Sequence, residues 1–485
     1  MKYTLSVAAA LTAAQSVLAG APPDLPLGSN LDECLRASSA TVLTSGDQAY
    51  DSARETYNSR TTFSPQYVVQ PNSVEDVQHS VRCATQYKSA ITSKSGGHGY
   101  AGFAIGGEDG NVTIDMSNLK TLNVDENGLV RAGTGNHLGE LYQGIYDQGG
   151  WSLPGGTCPQ VGIGGHASFG GYGPLSRKLG FLLDTITEAE VVFANGTSAI
   201  VSEGQDAFFA VTGAAPSFAA VTQYTYQATP APENTVTFKY GMYGRTLEES
   251  AQAFNGYQNF MNGDVPNDLY AIVTLGSDSF ELAGNYFGSQ EEFKAIVEPL
   301  LKAVGVRDTD QQDVSEDADF ITALTKTTGD LSSTHVEPAS FYSKSLMTNE
   351  PLNMDDVYSF FGYLKYDATN AQNNGYSWYI IVDPYNGAIH DISTDTRSFA
   401  HRNVLLDFQF FAFSGDDEKQ LFDLVDGMVT SITTSPEAAY PNYVDARLQN
   451  WQNLYYGENY NRLQRIKEQV DPNNTFRFPQ SIELP

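Results

Sequence analysis

The stretch PGGTCPQVGIGGHASFGGYGPLSR, Pro154 to Arg177, decides how this chain is read. It crowds glycines around one cysteine and one histidine within 24 residues. Glycine admits positive φ and lets backbone approach a ligand closely, and it weakens helix and strand alike. Such a run predicts backbone wrapped around a flat or phosphorylated ligand. A second, smaller segment of the same kind lies upstream: SKSGGHGY, Ser93 to Tyr100.

Outward from these loops, the 485 residues predict two or three domains. Basic residues number 27 against 57 acidic, a net charge of −30, which disfavours nucleic acid because phosphate binding needs clustered Lys and Arg. Residues 1–19 carry Lys2, an apolar run and the small-residue end Val17-Leu18-Ala19. They read as a secretory signal peptide, with the protein expected outside the cell. No later stretch approaches the ~20 apolar residues of a membrane helix, so no membrane partner is expected. Sequons at Asn111, Asn195 and Asn473 suit glycosylation on the secretory route. Of three cysteines, Cys34 and Cys83 lie in helix-like surroundings and are read as a disulfide, with Cys158 of the glycine-rich stretch left over.

Along the chain, Asn72 to Tyr87 reads as a helix begun by Ser73 and Asp76, with Val74, Val77, Val81 and Ala84 on one face. Lys88 to Ser95 reads as a strand entering the first glycine-rich loop, and Asn111 to Met116 as another strand. Glu188 to Ser202 reads as a hairpin about Asn195-Gly196. Thr229-Pro230-Ala231-Pro232 is read as a linker. Beyond it, helices near 247–262, 289–303 and 417–430 alternate with aromatic-rich strands near 269–286, 376–383 and 404–413. This texture predicts an antiparallel sheet covered by helices. A helix near 458–469, ended by Asp471-Pro472, is expected to pack back on the first part. The fold class is α+β, divided into residues 20–230, 231–430 and a returning segment 431–485.

Several chemistries are excluded by motif. There is no Walker A, HExxH, paired CxxC or GxSxG, and the seven histidines are too scattered for a metal cluster. Neither glycine-rich segment fits the dinucleotide fingerprint cleanly. The ordered series SKSGGHGY, Gly156-Thr157-Cys158-Pro159, GIGGHASFGGYG (Gly162 to Gly173), FYSKSL (Phe341 to Leu346), NYVD (Asn442 to Asp445) and the ending from Tyr455 to Ser481 resembles something more specific. It is similar to the berberine-bridge-enzyme-like branch of the vanillyl-alcohol-oxidase flavoproteins, and within it to fungal secreted gluco- and chito-oligosaccharide oxidases.

The resemblance implies a two-part PCMH-type FAD-binding domain, a separate substrate domain, and bicovalent FAD. His98 matches the family histidine joined to the flavin 8-methyl carbon, and Cys158 the cysteine joined to flavin C6. Ser95, Gly96, Gly97, Gly99, Tyr100, Gly162, Gly165, His166, Gly170, Gly173, Val221 and Asn459 are read as further cofactor contacts. Residues 213–220 depart from the usual form yet are still expected to line the FAD. Tyr443 matches the tyrosine that deprotonates an anomeric hydroxyl, and Asp383 its carboxylate partner. A free tyrosine titrates near ~10, and a neighbouring carboxylate raises that further, so the two are read as a relay ending on Asp383. Tyr100, Trp378 and Gln409 are read as sugar contacts. Ile381 stands where the resemblance leads one to expect glutamine. The implied reaction oxidises the reducing-end C1 hydroxyl of an oligosaccharide, with oxygen or another electron acceptor, in a chain expected to act as a monomer. Retained Tyr443 and Asp383 favour a sugar; Ile381 keeps open a secondary-metabolite alcohol.

Overall fold

Ser73 opens the first long helix: its side chain accepts the N–H of Asp76, and the helix runs Val74–Gln86. Val77, Val81 and Ala84 are buried on one face, as their spacing predicts. Cys83, turned away from that face and in line with His79, is buried too and is bonded to Cys34 of the short helix Leu31–Leu35. In this computed structural model, residues 20–413, 417–432 and 438–485 are described; the leader read at 1–19 lies outside them.

Two sheets make up the first part. In the smaller, Val112–Asp115 is flanked by Tyr67–Gln70 and Ile91–Lys94, both parallel to it, and Thr41–Leu43 adds an antiparallel edge. The second has the order Leu122–Val124, Leu129–Gly133, Ala219–Gln227, Ile186–Phe193, Ser198–Ser202 and is antiparallel throughout. Its last two strands are the hairpin expected about Asn195-Gly196.

A seven-stranded antiparallel sheet forms the other part. Its order is Gln311–Asp317, Thr235–Tyr243, Ser279–Tyr286, Leu269–Gly276, Ser377–Pro384, Leu406–Phe413, Phe341–Thr348. Helices Leu247–Met261, Gln290–Val304, Met354–Tyr363 and Glu418–Thr430 cover one face. Phe254, Tyr257, Phe360 and Leu424 from them share a core with Ile380, Val382, Phe408 and Phe410 of the sheet. The region 269–286, read as one strand, is a hairpin turned at Ser277-Asp278, with Gly276 opposite Ser279.

Two further expectations change. Thr229–Pro230 is not a free linker: it pairs with Trp151–Ser152, and the Ala231 N–H donates to the Gly150 carbonyl. Asn111 does not offer a glycosylation site on this surface. It is 2% exposed, and its amide donates to the hydroxyls of Thr92 and Thr113, the second being the sequon's own threonine. A glycan there would break both bonds and displace the strand. Asn195 and Asn473 are exposed.

The chain end returns to the first part. Helix Tyr460–Val470 packs against helix Asp206–Ala214 through Leu463, Ile466, Phe209 and Ala210. Lys467 is fully buried, and its ammonium donates to Asp471 and to the carbonyls of Ser217 and Phe476. A buried cation is tolerated when its donors are all engaged.

The disulfide closes a loop across a sequence separation of 49. In the chain-entropy view such a loop contributes about 4 kcal/mol. Replacing Cys34 and Cys83 together by Ala is expected to lower the urea midpoint correspondingly, while a Cys158→Ala change leaves that midpoint near wild type. Equal midpoints for the double variant and wild type would remove the disulfide's stabilising role.

Candidate active site

The strand Ile91–Lys94 delivers the first glycine-rich loop directly onto the second. Ser95 Oγ donates to the Thr134 carbonyl at 2.6 Å and accepts the Gly164 N–H at 3.2 Å. At this seam the backbones touch: a Cβ on Gly162 would lie 2.1 Å from the Gly96 nitrogen. Neither position has room for any side chain. Gly97, at φ +67°, turns the chain so that His98 follows into a cavity.

That cavity is lined by both parts of the molecule. Ser95, Gly96, Gly97, His98, Gly99 and Tyr100 border it from the first loop, and Cys158, Gly162, Gly165 and His166 from the second. Val221 and, from the variant segment, Ala215, Pro216 and Ala219 close another wall. Gly99 and Gly165 have nothing within 4 Å of where a Cβ would sit, so they leave open space on the cavity side. His98 stacks on Tyr57 at 4.1 Å. Burial pulls its imidazole down to about 4, which keeps the ring neutral and nucleophilic at neutral pH. The Cys158 thiol is unpaired and open to the cavity, yet lies deep in the protein, and burial raises it. His166 is also held neutral by burial, at about 4. Its Nε2 accepts the Gly156 N–H at 2.9 Å, so it fixes the loop that carries Cys158.

Three cofactor contacts read from the sequence do not reach the cavity. Gly170 packs against the Tyr440 ring and Gly173 against the Gly155 carbonyl, 1.7 Å from where a Cβ would sit. Both are glycine because the loop folds on itself there. The Asn459 amide donates to the Ser398 carbonyl, away from the site.

The opposite wall is the uncovered face of the seven-stranded sheet. Tyr379, Ile381 and Asp383 alternate along Ser377–Pro384, and Gln409 and Phe411 along Leu406–Phe413. Trp378 is therefore on the wrong face. It is buried among the helices, with its indole N–H donating to the Ala368 carbonyl at 3.0 Å. A strand's period of two would have excluded it once Asp383 was placed in the site. The same count finds Tyr379, which lies parallel to Phe411 at 5.2 Å. Gln409 donates to the Tyr100 hydroxyl at 2.7 Å. Tyr57 completes this aromatic wall with no local motif to announce it, and Phe341, which opens the FYSKSL motif, packs behind it.

Tyr443 ends the turn Pro441–Tyr443, its ring parallel to Tyr100 at 6.0 Å and edge-on to Tyr440 at 4.9 Å. Burial, with Asp383 next in weight, raises its phenol well above 10. Asp383 is 4% exposed, and burial pushes it up to about 7. Among the described residues it makes no ion pair. A phenol so disposed holds its proton until a partner can take it, and Asp383 is a carboxyl able to do so near neutral pH. The donor set suits FAD: glycine backbone for close approach, a neutral imidazole, an unconsumed thiol, and a phenol and a carboxyl lining the same cavity.

Trp378 and Tyr379 separate packing from binding. Trp378→Ala is expected to cost about 3–5 kcal/mol of stability with KM unchanged. Tyr379→Ala should raise KM about tenfold, the weight of one aromatic contact of ~1–1.5 kcal/mol, with a small stability change. Denaturation curves and steady-state kinetics on both variants decide it, and a reversed pattern would refute the face assignment.

Residues 65–202 match the family model described as FAD binding domain, and residues 439–483 match that described as berberine and berberine like. The FAD-linked oxidoreductase sorD of Penicillium rubens is 35% identical over 93% of this chain and 97% of its own. The chitooligosaccharide oxidase of Gibberella zeae is 29% identical over 93% of this chain and 94% of its own. A solved structure of the Acremonium strictum glucooligosaccharide oxidase, whose FAD is described as 6-S-cysteinyl, 8α-N1-histidyl, superposes with TM-score 0.88. It is 27% identical and covers 94% of this chain and 99% of that one. With these two models at its ends and such identity along nearly its whole length, the chain belongs to the berberine-bridge-enzyme-like FAD-linked oxidoreductases.

Proposed function

We propose that this protein is a secreted oxidase carrying FAD joined to both His98 and Cys158, and that it oxidises the reducing-end C1 hydroxyl of an oligosaccharide to the lactone. The observation that carries the reading is the convergence of His98, Cys158, Tyr443 and Asp383 on one cavity. Bound FAD supplies the two-electron acceptor for the hydride leaving C1, with oxygen or another acceptor regenerating it. The chain's own residues do the rest. Tyr443 takes the hydroxyl proton as its own passes to Asp383. Tyr379 and Tyr100 offer faces to a sugar ring, Phe411 backs Tyr379, and Gln409 holds the Tyr100 hydroxyl in place. The lactone hydrolyses to the aldonic acid.

A second reading keeps this chemistry on a non-carbohydrate alcohol. Ile381 and Ile272 put apolar surface in the cavity, and Phe341 packs behind Tyr100 and Phe411. The 35% identical relative is named only as an FAD-linked oxidoreductase. Peroxide or dye reduction with cello-, xylo- and chito-oligosaccharides, set beside aromatic and polyketide-like alcohols, separates the two.

Acid precipitation tests the double attachment. Yellow colour should stay with the pellet in wild type, in His98→Ala and in Cys158→Ala, and enter the supernatant only in the double variant. Colour released from the wild type would remove the covalent linkage and the main support of this reading.

The pH dependence follows from Asp383. Its ionised form accepts the proton, so kcat should fall as pH drops through about 7. Asp383→Asn should lower kcat by roughly 10²–10⁴ and abolish that acid limb. An unchanged limb in the variant would assign it to another group.

A further inference from the structure

Behind Asp383 lies a second acid that the relay above does not use. Asp407 is directly opposite Asp383 in the register between Ser377–Pro384 and Leu406–Phe413. Residues so paired share a face, with Cβ atoms roughly 4.5–5.5 Å apart, and like charges there are destabilising. Asp407 is 0% exposed, and neither of its oxygens meets hydrogen-bond geometry with a described residue. On its other side the register partner is Met347, which is apolar.

The groups that face it are acids and phenols. Tyr385 follows the strand that bears Asp383, and its buried hydroxyl acts on Asp407 from outside ideal hydrogen-bond geometry. Tyr440 and Tyr443 come from the turn above. The nearby buried cation, Arg177, is engaged with Asn386 and with the carbonyls of Val265, Pro266 and Leu269. Two carboxylates left in such a place without a cation cannot both be ionised.

We propose that Asp407 is a positioning residue for proton transfer: the opposed Asp383 and Asp407 carboxyls form one dyad with a single negative charge, borne by Asp383, and Asp407 is its neutral, hydrogen-bond-donating neighbour. The inference rests on the Tyr443–Asp383 relay proposed above. In the step, the substrate O–H bond breaks as its proton joins the Tyr443 oxygen, and the Tyr443 proton joins Asp383. The C–H electron pair leaves as hydride to FAD, oxidising the substrate to a carbonyl. The dyad passes from one proton to two. Burial, then Asp383, raises Asp407 well above the ordinary carboxyl range, in keeping with this order of ionisation. A pair so coupled titrates in two steps that belong to the pair.

The test is made on the flavin-loaded enzyme. At pH about 8.5, infrared spectra of wild type labelled with carboxyl-¹³C aspartate should show one protonated-carboxyl C=O band, absent in Asp407→Asn. No such band in wild type, or a band that survives in Asp407→Asn, would overturn the proposal. In kinetics, Asp407→Asn, which keeps a neutral donor, should hold kcat within about threefold and the acid limb within about half a pH unit. Asp407→Leu, which donates nothing, should move that limb up by about one unit. Asp407→Asn as inactive as Asp383→Asn, an acid limb lowered in Asp407→Asn, or an unmoved limb in Asp407→Leu would each count against it. The wild-type band needs no variant, so the proposal can be refuted even where Asp407→Leu does not fold. Full activity in Asp383→Asn would defeat the relay itself and leave the band untouched, so the two failures are distinguishable.

Discussion

The backbone contact between Gly96 and Gly162 is the constraint on which the rest of the structure depends. A Cβ on Gly162 would meet the Gly96 nitrogen at 2.1 Å, and one on Gly96 would meet the Gly162 nitrogen at 2.5 Å. With side chains absent, two loops from different sheets lie edge to edge. Ser95 then clasps them, bridging Thr134 and Gly164 with one hydroxyl. His98 follows Gly96 by two residues, and Cys158 precedes Gly162 by four. The seam therefore fixes where an imidazole and a thiol enter the cavity. Their proximity needs no long-range pairing of their own. The same seam leaves peptide groups uncovered by side chains, as a large flat cofactor requires for close approach.

The large sheet contributes through its two-sidedness. One face is covered by four helices and holds Phe, Leu, Ile and Trp in a continuous core. The other face is left for the cavity. A period of two then assigns each residue of Ser377–Pro384 to packing or to chemistry. Ile380 and Val382 hold the strand against the helices, and Tyr379, Ile381 and Asp383 are presented to the ligand by the same rigidity. Tyr443 arrives from the returning end of the chain. Its turn is held by Tyr440, whose hydroxyl accepts the Gly171 N–H at 2.7 Å and the Asn442 amide at 3.0 Å. The glycine-rich loop, the sheet and the chain end thus meet at one place.

Much of this was legible. The helix begun by Ser73, the hairpin at Asn195-Gly196, the helices near 247, 289 and 417, and the Cys34–Cys83 pair all follow from local signals, which report local structure faithfully. Most of the differences have non-local causes. Gly170 and Gly173 look like ligand glycines in sequence, but their neighbours are Tyr440 and Gly155, and only tertiary packing reveals that. Asn111 reads as a sequon, while its burial depends on Thr92 from an adjacent strand. Trp378 differs for a local reason, since a residue five positions from Asp383 cannot share its face of a strand. Tyr57 carries no motif and enters the site through its ring contact with His98, and Phe341 of FYSKSL backs the site through its contact with Tyr100.

The electrostatics of the cavity follow from what surrounds it. Tyr172, Tyr270, Tyr385 and Tyr440 are buried and Tyr443 is half-buried, and desolvation raises every one of them. Asp383 and Asp407 are shifted the same way, while His98 and His166 are driven neutral. Each change favours the uncharged form, because burial penalises charge. Among these groups Asp383 titrates nearest neutrality. At about 7 its proton affinity lies far below that of the phenols around it, so it is the group that can be empty when the others are full. On the relay proposed above, the desolvation that favours the neutral phenols leaves Asp383 as the end point of the proton's path.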